Sequence, residues 1–304
     1  MRKVIITTTS FGEYDREPID ILEKAGFGTL LNPYGRKLKK DEVIDLCKDA
    51  TGIIAGTETL DAAIIKELTR LKVISRCGTG LDTVDLDAAK RLGIKVFITP
   101  NAPTLAVAEL TIGLILNLMR KTSLMDREIR NGLWKKRMGN LLCEKRIGII
   151  GFGRIGKKVA ELLKPFGCMI AYTDPFVEDE LPGLKRLYIE DLLKWADIVS
   201  IHASTSNKLL GEKEMRLIKK GAWLVNVSRG GVVDEEVLYR VLKEDHLAGA
   251  AIDVFEHEPY VGKLRELENV ILAPHIGSYA KEARVKMEKE AVENLIKGLS
   301  DAKN

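Results

Sequence analysis

The chain has 304 residues, of which 45% are hydrophobic and 30% charged, a balance typical of a soluble α/β protein with one or two cores. The formal net charge of +4 is small and the basic residues are spread along the chain, which argues against a nucleic-acid partner. The cysteines lie far apart without CxxC spacing or nearby histidines, so neither a metal site nor a disulfide framework is expected at Cys47, Cys77, Cys143 and Cys168.

The first residues, MRKVIITTTSFGEYD, predict a strand that soon meets polar residues, unlike the long apolar core of a secretory signal. The most apolar helical stretch, Leu105–Met119, contains Glu109 and is too short in the sequence to span a bilayer. We therefore expect a cytoplasmic protein without a membrane partner. The absence of glutamine, together with abundant Lys, Glu and Arg, favours a source organism that grows at high temperature.

Short β-rich segments alternate with helical patterns in two consecutive runs. The first run has five predicted strands, at Lys3–Thr8, Gly28–Leu31, Gly52–Ala55, Lys72–Ser75 and Ile94–Ile98. A long apolar helix then opens at Pro103, and the second run follows it. Its six predicted strands lie at Arg146–Ile150, Met169–Thr173, Ile198–His202, Trp223–Val227, Ala250–Val254 and Val270–Ala273.

Strand–helix alternation is typical of parallel sheets with helices on both faces. Two such runs predict an α/β protein made of two Rossmann-like, doubly wound parallel-sheet domains with a ligand cleft between them. The last stretch, EARVKMEKEAVENLIKGL, predicts an amphipathic helix that either closes the second domain or returns to the first.

The segment RIGIIGFGRIGKKVAELL carries Gly151, Gly153 and Gly156 in GxGxxG spacing. An apolar strand enters this turn and an amphipathic helix leaves it, which is the setting that a dinucleotide pyrophosphate needs: glycines for close approach and a helix start with free N–H groups. The next strand ends in Asp174, 18 residues after Gly156. A carboxylate there binds ribose hydroxyls and repels a 2′-phosphate, so the pattern favours NAD over NADP, and its place in mid-chain disfavours FAD.

Polar residues with useful chemistry follow the last three predicted strands. The strand AWLVNV leads to Arg229, the strand AAIDV carries Asp253 and leads to Glu258, and the strand NVILA leads to His275. Ligands of open α/β sheets lie at the carboxyl ends of the strands, so we expect these residues to meet there. By contrast, His202 ends a strand nearer the nucleotide and is interpreted as structural or cofactor-adjacent.

The residue types complement one another. Arginine offers a fork of donors that suits a carboxylate, and histidine can give a proton to a carbonyl oxygen as hydride arrives, or take it in reverse. A glutamate beside the histidine raises its pKa and orients the ring. With NAD, this set predicts the interconversion of a 2-hydroxy acid and a 2-oxo acid by Arg229, Glu258 and His275.

The chain resembles the D-isomer-specific 2-hydroxyacid dehydrogenases over nearly its whole length. The motifs GTGLDTVDLDAAKRLGI, GFGRIG, LVNVSRGGVVDEEVL, HLAGAAIDVFEHEP and PHIGS stand in that family's order and spacing. The resemblance implies a substrate-binding domain of residues 1–98 plus 283–304 and an NAD-binding domain of residues 99–282. It also implies a homodimer formed through the NAD-binding domain, with the helix after Pro103 contributing.

By position, Arg229 resembles the family's substrate-binding arginine, His275 its acid/base and Glu258 the partner of that histidine. The resemblance implies that the backbone of Cys77 and Gly78 faces the substrate carboxylate, and that Cys77 is a small residue near the site and no nucleophile. It implies further cofactor contacts from Thr79, Arg154, Ile155, Asp174, Ala203, Val227, Ser228, Asp253 and Ser278.

Within the family, ISRCGTGLDTVDLDAAKRLGI and FEHEP look most like phosphoglycerate dehydrogenases, without a regulatory domain in this chain. The expected substrate is therefore 3-phosphoglycerate, which would place the protein in serine biosynthesis. One departure concerns the phosphate, because IIAGTETLD has Gly56-Thr57 where many phosphoglycerate dehydrogenases carry an arginine. Arg76 or the basic run Lys135-Lys136-Arg137 are the candidate replacements, and that run reads equally as a solvated loop.

Three alternatives accompany this prediction. The first is a glyoxylate/hydroxypyruvate reductase or a D-lactate-type dehydrogenase. The second, from another class, is an NAD(H)-sensing binding protein, because corepressors that resemble this family keep the fold; the compact chain disfavours it. The third, a formate dehydrogenase, is disfavoured by Glu258, since that chemistry does not use a His–Glu pair.

Overall fold

The computed structural model describes residues 2–177 and 182–301. Each of the eleven predicted strands overlaps an observed one, whereas the two-residue strand β8 has no predicted counterpart. The strands are β1 (Arg2–Ile6), β2 (Phe27–Leu31), β3 (Gly52–Ala55), β4 (Val73–Arg76), β5 (Lys95–Phe97), β6 (Arg146–Ile150), β7 (Met169–Thr173), β8 (Lys185–Arg186), β9 (Ile198–Ile201), β10 (Trp223–Asn226), β11 (Gly249–Ile252) and β12 (Val270–Leu272).

The helices connect successive strands, and three of them are capped by an aspartate whose side chain accepts a backbone N–H of the first turn. They are α1 (Glu17–Lys24), α2 (Lys40–Cys47), α3 (Ala62–Glu67), α4 (Leu86–Arg91), α5 (Pro103–Arg120), α6 (Thr122–Arg130), α7 (Arg154–Leu163), α8 (Ile189–Trp195), α9 (Glu212–Leu217), α10 (Glu235–Lys243) and α11 (Lys281–Asp301), with 3-10 turns at Lys164–Phe166 and Lys263–Glu266.

The chain divides into two compact units, one of residues 1–103 and 278–304 and the other of residues 104–277. The predicted domain boundaries, after residue 98 and after residue 282, lie a few residues from these. We refer to the first as unit 1 and to the second as unit 2.

Unit 1 contains a five-stranded parallel sheet in the order β2-β1-β3-β4-β5. Neighbouring strand residues face opposite sides, because Ile5 belongs to one apolar cluster and Val4 and Ile6 to another. Helix α11 covers the second face with Met287, Ala291, Val292, Leu295 and Leu299. Of the two alternatives for the last helix, the structure thus shows the return to the first sheet.

Unit 2 contains a seven-stranded parallel sheet in the order β12-β11-β10-β9-β6-β7-β8. Its two faces carry separate cores, since Leu224 packs on one side and its neighbour Val225 on the other. The strand order reverses at β6, with β9 on one side and β7 on the other. Such a reversal opens a crevice at the carboxyl ends of the strands, where α/β proteins bind ligands.

Helix α5 has 18 residues, longer than the Leu105–Met119 stretch read from the sequence. By length and composition alone this helix would be able to cross a membrane, and half of the stretch Pro103–Arg120 is buried inside the structure. Ala108, Ile115 and Met119 pack in the core of unit 2. A core helix meets the same criteria as a membrane span, so the feature is weak support for a membrane.

Candidate active site

The glycine turn between β6 and α7 is built so that two of its glycines accept no side chain. Gly151 has a φ of +89°, and a Cβ there would lie 2.5 Å from the Ala203 nitrogen. A Cβ at Gly156 would lie 2.2 Å from the Gly151 carbonyl oxygen. Both positions therefore require glycine for the turn to form and for α7 to pack against it.

Gly153 is different, because a Cβ built there would meet nothing within 4 Å. The residue caps α7, whose helical turns begin at Arg154. The space beside Gly153 thus adjoins the N–H groups at the start of the helix, where the helix dipole favours an anion. The turn fits a dinucleotide pyrophosphate, which needs this close backbone approach.

Asp174 lies beside the same turn. Its Oδ2 accepts a hydrogen bond from the Phe152 N–H at 2.6 Å, and its Oδ1 accepts one from the Phe176 N–H at 2.8 Å. The carboxylate that follows β7 is thereby held against the glycine turn, and its contact with a ribose stays a prediction. The sequence-predicted nucleotide residues Gly151, Gly153, Arg154, Ile155, Gly156, Asp174 and Ala203 all fall in this region of unit 2.

Arg229 follows β10 in a turn held by Asn226, a residue that was not predicted from the sequence. Asn226 is buried, its Oδ1 accepts hydrogen bonds from the Ser228 N–H and hydroxyl, and its Nδ2 donates to the Arg229 carbonyl oxygen. An asparagine that ends a buried strand is a known turn signal, and it marked this role in the sequence. The Arg229 guanidinium donates to the Ser228 carbonyl oxygen at 2.8 Å.

Gly230 connects this turn with the segment that leads to Glu258. A Cβ at Gly230 would lie 1.9 Å from the Phe255 carbonyl oxygen, so the two backbones touch where any side chain would separate them. Val227 and Ser228, predicted to contact the cofactor, belong to the same turn and are both buried.

His275 and Glu258 form the predicted pair. The His275 Nδ1 lies 3.1 and 3.0 Å from the two carboxylate oxygens of Glu258, and Glu258 Oε1 also accepts the Phe255 N–H at 3.1 Å. The hydrogen bond and negative charge of Glu258 raise the pKa of His275, whereas partial burial and the nearby charge of Arg229 act to lower it. The contact fixes the ring through Nδ1 and leaves Nε2 as the nitrogen that can meet a substrate.

The backbone of His275 has a φ of +56°, a left-handed conformation that is uncommon outside glycine. Asp253 holds the loop that follows: its Oδ1 accepts the Ile276 N–H at 2.8 Å and its Oδ2 accepts the Gly277 N–H at 2.9 Å. Burial raises the pKa of Asp253. The carboxylate that the resemblance implies as a cofactor contact is thus also the group that shapes the His275 loop.

Two other candidate groups, His202 and Cys77, are uncharged at physiological pH. Desolvation lowers the pKa of His202 to about 3, so the ring is neutral at physiological pH, and its Nε2 lies 2.8 Å from the Ser200 hydroxyl. Burial raises the pKa of Cys77 to about 12, which keeps the thiol protonated and unsuited to nucleophilic attack. The raised pKa of Cys77 agrees with the interpretation that this residue is no nucleophile, and the role of His202 stays a prediction.

Cys77, Gly78, Thr79 and Ser278 lie in unit 1. The Cys77 N–H donates to the Ala55 carbonyl oxygen at 2.9 Å, and the Gly78 N–H donates to the Thr99 hydroxyl at 2.8 Å. Both donors are therefore used inside unit 1, and the roles of these residues toward a substrate or cofactor stay predictions.

We expect Glu258→Gln to change the pH dependence of catalysis. If His275 gives the proton in a reduction, as the resemblance implies, it must be protonated, so kcat/KM is high below its pKa and falls as pH rises through it. Loss of the Glu258 charge removes the main cause that raises this pKa, and the descending limb then moves to lower pH. Steady-state kcat/KM measured across pH for both proteins checks this; a limb that stays in place would show that His275 does not titrate in it.

Comparisons with known proteins identify the family of the chain. Residues 112–277 match the family model described as "D-isomer specific 2-hydroxyacid dehydrogenase, NAD binding domain". The glyoxylate reductase of Thermococcus litoralis is 40% identical over 281 residues, which cover 87% of this chain and 83% of that protein. The human D-3-phosphoglycerate dehydrogenase is 38% identical over 278 residues.

The alignment with the human protein covers 87% of this chain but 52% of that one, so the chain spans about half the length of the D-3-phosphoglycerate dehydrogenases it matches. Among solved structures, the TT0316 protein of Thermus thermophilus superposes with a TM-score of 0.92 at 35% identity, over 98% of this chain and 97% of that one. The chain belongs to the D-isomer specific 2-hydroxyacid dehydrogenase family, and its unit 2 is the NAD-binding domain of that family.

Proposed function

We propose that the protein is an NAD-dependent oxidoreductase that interconverts a small D-2-hydroxy acid and its 2-oxo acid, with glyoxylate and hydroxypyruvate as the oxo acids it reduces. The observation that carries the reaction type is the His275–Glu258 pair, with Arg229 close enough to influence the pKa of the histidine. These side chains follow β10, β11 and β12 of the sheet that carries the glycine turn.

The side chains divide the reaction between them. The Arg229 guanidinium binds the substrate carboxylate and polarises the adjacent carbonyl. The His275 Nε2 delivers a proton to the carbonyl oxygen in reduction and removes one from the hydroxyl in oxidation. The Glu258 carboxylate keeps the imidazolium available and the ring in place. Bound at the glycine turn and Asp174, NAD supplies the hydride chemistry.

Arg76 and Arg137 are two of the cations that were candidates to bind a phosphate. Their contacts with other groups of the protein support an unphosphorylated substrate. The Arg76 Nε donates to the Gly80 carbonyl oxygen at 3.0 Å, and Arg137 is engaged in an ion pair with Glu128. Gly56 stands where an arginine would be expected for a phosphate.

A 3-phosphoglycerate dehydrogenase of serine biosynthesis is the second candidate. It is favoured by 38% identity to proteins of that name and by the exposed side chains of Lys135 and Lys136, which are available to a phosphate.

Steady-state NADH oxidation with glyoxylate, hydroxypyruvate, phosphohydroxypyruvate and pyruvate tests the proposal. We expect hydroxypyruvate or glyoxylate to exceed phosphohydroxypyruvate in kcat/KM by more than about tenfold, equivalent to about 1.4 kcal/mol of transition-state preference. A lead for phosphohydroxypyruvate would instead assign the second candidate. Activity with none of the four, while NADH still binds, would favour an NAD(H)-sensing binding protein.

We also propose a cytoplasmic homodimer formed through unit 2. Supporting it is a run of exposed apolar side chains after α6, at Leu133, Trp134, Met138 and Leu141. Exposed apolar residues concentrated in one segment are typical of an interface with another chain.

A further inference from the structure

Two of the free cysteines come close together in unit 2 although they are far apart in the sequence. Cys143 lies in the loop just before β6, and Cys168 directly precedes β7. The strands β6 and β7 are parallel neighbours, so both thiols lie at the amino end of the sheet. The glycine turn follows β6 and therefore lies at the opposite end of that strand.

Backbone hydrogen bonds tie the two loops together on both sides of these cysteines. The Glu144 N–H donates to the Gly167 carbonyl oxygen at 3.0 Å, and the Met169 N–H donates to the Lys145 carbonyl oxygen at 3.0 Å. Each of these four residues is within two positions of one of the cysteines in the sequence. The pairing of β6 with β7 thus continues past the first residues of the strands and holds the cysteine segments against each other.

Each thiol also contacts the residue that precedes the other cysteine. The Cys168 Sγ donates a hydrogen bond to the Leu142 carbonyl oxygen at 3.5 Å, and Leu142 directly precedes Cys143. A Cβ on Gly167, which directly precedes Cys168, would lie 3.1 Å from the Cys143 Sγ. These reciprocal contacts bring both sulfur atoms to the same small region between the two loops.

The two thiols differ in their exposure to solvent. Cys143 is exposed, whereas Cys168 is half-buried. Burial, and after it the charge of a Cys143 thiolate, raises the pKa of Cys168 to about 11, so this thiol is protonated at neutral pH. The exposed thiol is therefore the one that an oxidant in solution meets first, and the half-buried thiol is placed to react with the product.

We propose that Cys143 and Cys168 are a site of reversible oxidation, at which a peroxide converts the two thiols to a disulfide. The Cys143 thiol gives up its proton and its sulfur attacks one peroxide oxygen, so that the O–O bond breaks and a sulfenic acid and one water form. The Cys168 sulfur then attacks the Cys143 sulfur, and the S–OH group leaves with the Cys168 proton as a second water. Two thiols thereby lose two electrons and hydrogen peroxide becomes two waters.

The disulfide would close a loop that contains β6, the glycine turn and α7. A crosslink of this kind restricts the unfolded chain and so stabilises the folded one. Because the thiols lie at the amino ends of β6 and β7, the glycine turn keeps its shape. The site is therefore a clamp that strengthens the NAD-binding domain under oxidising conditions and leaves the cofactor turn unchanged.

Peptide mapping tests the pairing. Folded wild-type protein is treated with hydrogen peroxide, alkylated, digested without reductant and analysed by mass spectrometry. We expect a linked pair of peptides that joins Cys143 to Cys168, weighs two hydrogen atoms less than the reduced peptides, and separates when dithiothreitol is added. Cys47 and Cys77 are buried internal controls that should stay reduced.

Three other products would overturn the proposal. They are a covalent dimer joined through Cys143, separate oxidation of the two thiols to sulfinic acids, and a protein in which both thiols stay reduced while peroxide is in excess. Electrophoresis without reductant distinguishes the first of these from a disulfide within one chain.

Thermal melting tests the effect on stability. We expect the Tm of the oxidised wild type to exceed that of the reduced protein by about 5–10 °C. Cys143→Ser changes an exposed position and should melt at one temperature with and without peroxide, and Cys168→Ser should do the same. The Kd for NADH, measured by fluorescence titration, should differ by less than about twofold between the two states of the wild type. An equal Tm in both states of the wild type, or a shift that persists in Cys143→Ser, would show that these cysteines do not clamp the domain.

Discussion

His275→Asn is expected to lower kcat for 2-oxo acid reduction by about 10²–10⁴-fold, the usual contribution of a positioned general acid. Asparagine keeps a polar side chain of similar size but supplies no titrating proton. NADH binding, measured by fluorescence titration, should persist, because the glycine turn and Asp174 lie on other strands of the sheet.

His257→Asn is the matched control, since it removes an exposed histidine from the loop that follows β11. Its kcat should stay near the wild-type value. A loss of less than about tenfold in His275→Asn would contradict the assignment of the proton to this ring.

Arg229→Lys is expected to lower kcat/KM by about 10²–10³-fold, or about 2.7–4 kcal/mol of transition-state stabilisation. Lysine keeps the charge but loses the planar fork that binds a carboxylate with two parallel hydrogen bonds. We expect KM for the oxo acid to rise and kcat to fall, because the guanidinium both binds the carboxylate and polarises the carbonyl.

Arg240→Lys provides the comparison, because Arg240 makes an exposed ion pair with Glu212 on the surface of unit 2. Exposed pairs of this kind contribute little, and this variant should behave as wild type. Equal kinetics in Arg229→Lys and wild type would mean that another cation binds the substrate carboxylate.

Much of the fold was predictable because its signals are local. Buried parallel strands appear in the sequence as short apolar runs. The glycine turn is recognised by the spacing of its glycines together with the apolar strand before it and the amphipathic helix after it. The positions of Arg229, Glu258 and His275 after three strands of one sheet were predictable from the strand pattern, and their chemistry stays a prediction. The strand β8 was not predictable, because two residues are too few to show a periodic pattern of apolar side chains.

Other features depend on contacts between residues distant in sequence. Nothing in the sequence indicates that Gly230 must touch the backbone of Phe255, or that Asp253 binds the N–H groups of the loop after His275. Glu58 is the clearest case, because a glutamate in a polar segment is expected to be exposed and the structure buries it. Its burial depends on the hydrogen bonds from Thr7 and Gly56.

The central claim is that the chain reduces small 2-oxo acids with NADH to give the D-hydroxy acid. The most direct test is to reduce hydroxypyruvate with the wild-type protein and NADH and to determine the configuration of the glycerate by chiral chromatography. We predict D-glycerate, with NADH consumed in equal amount. Formation of L-glycerate, or no turnover by a folded protein that binds NADH, would contradict the claim.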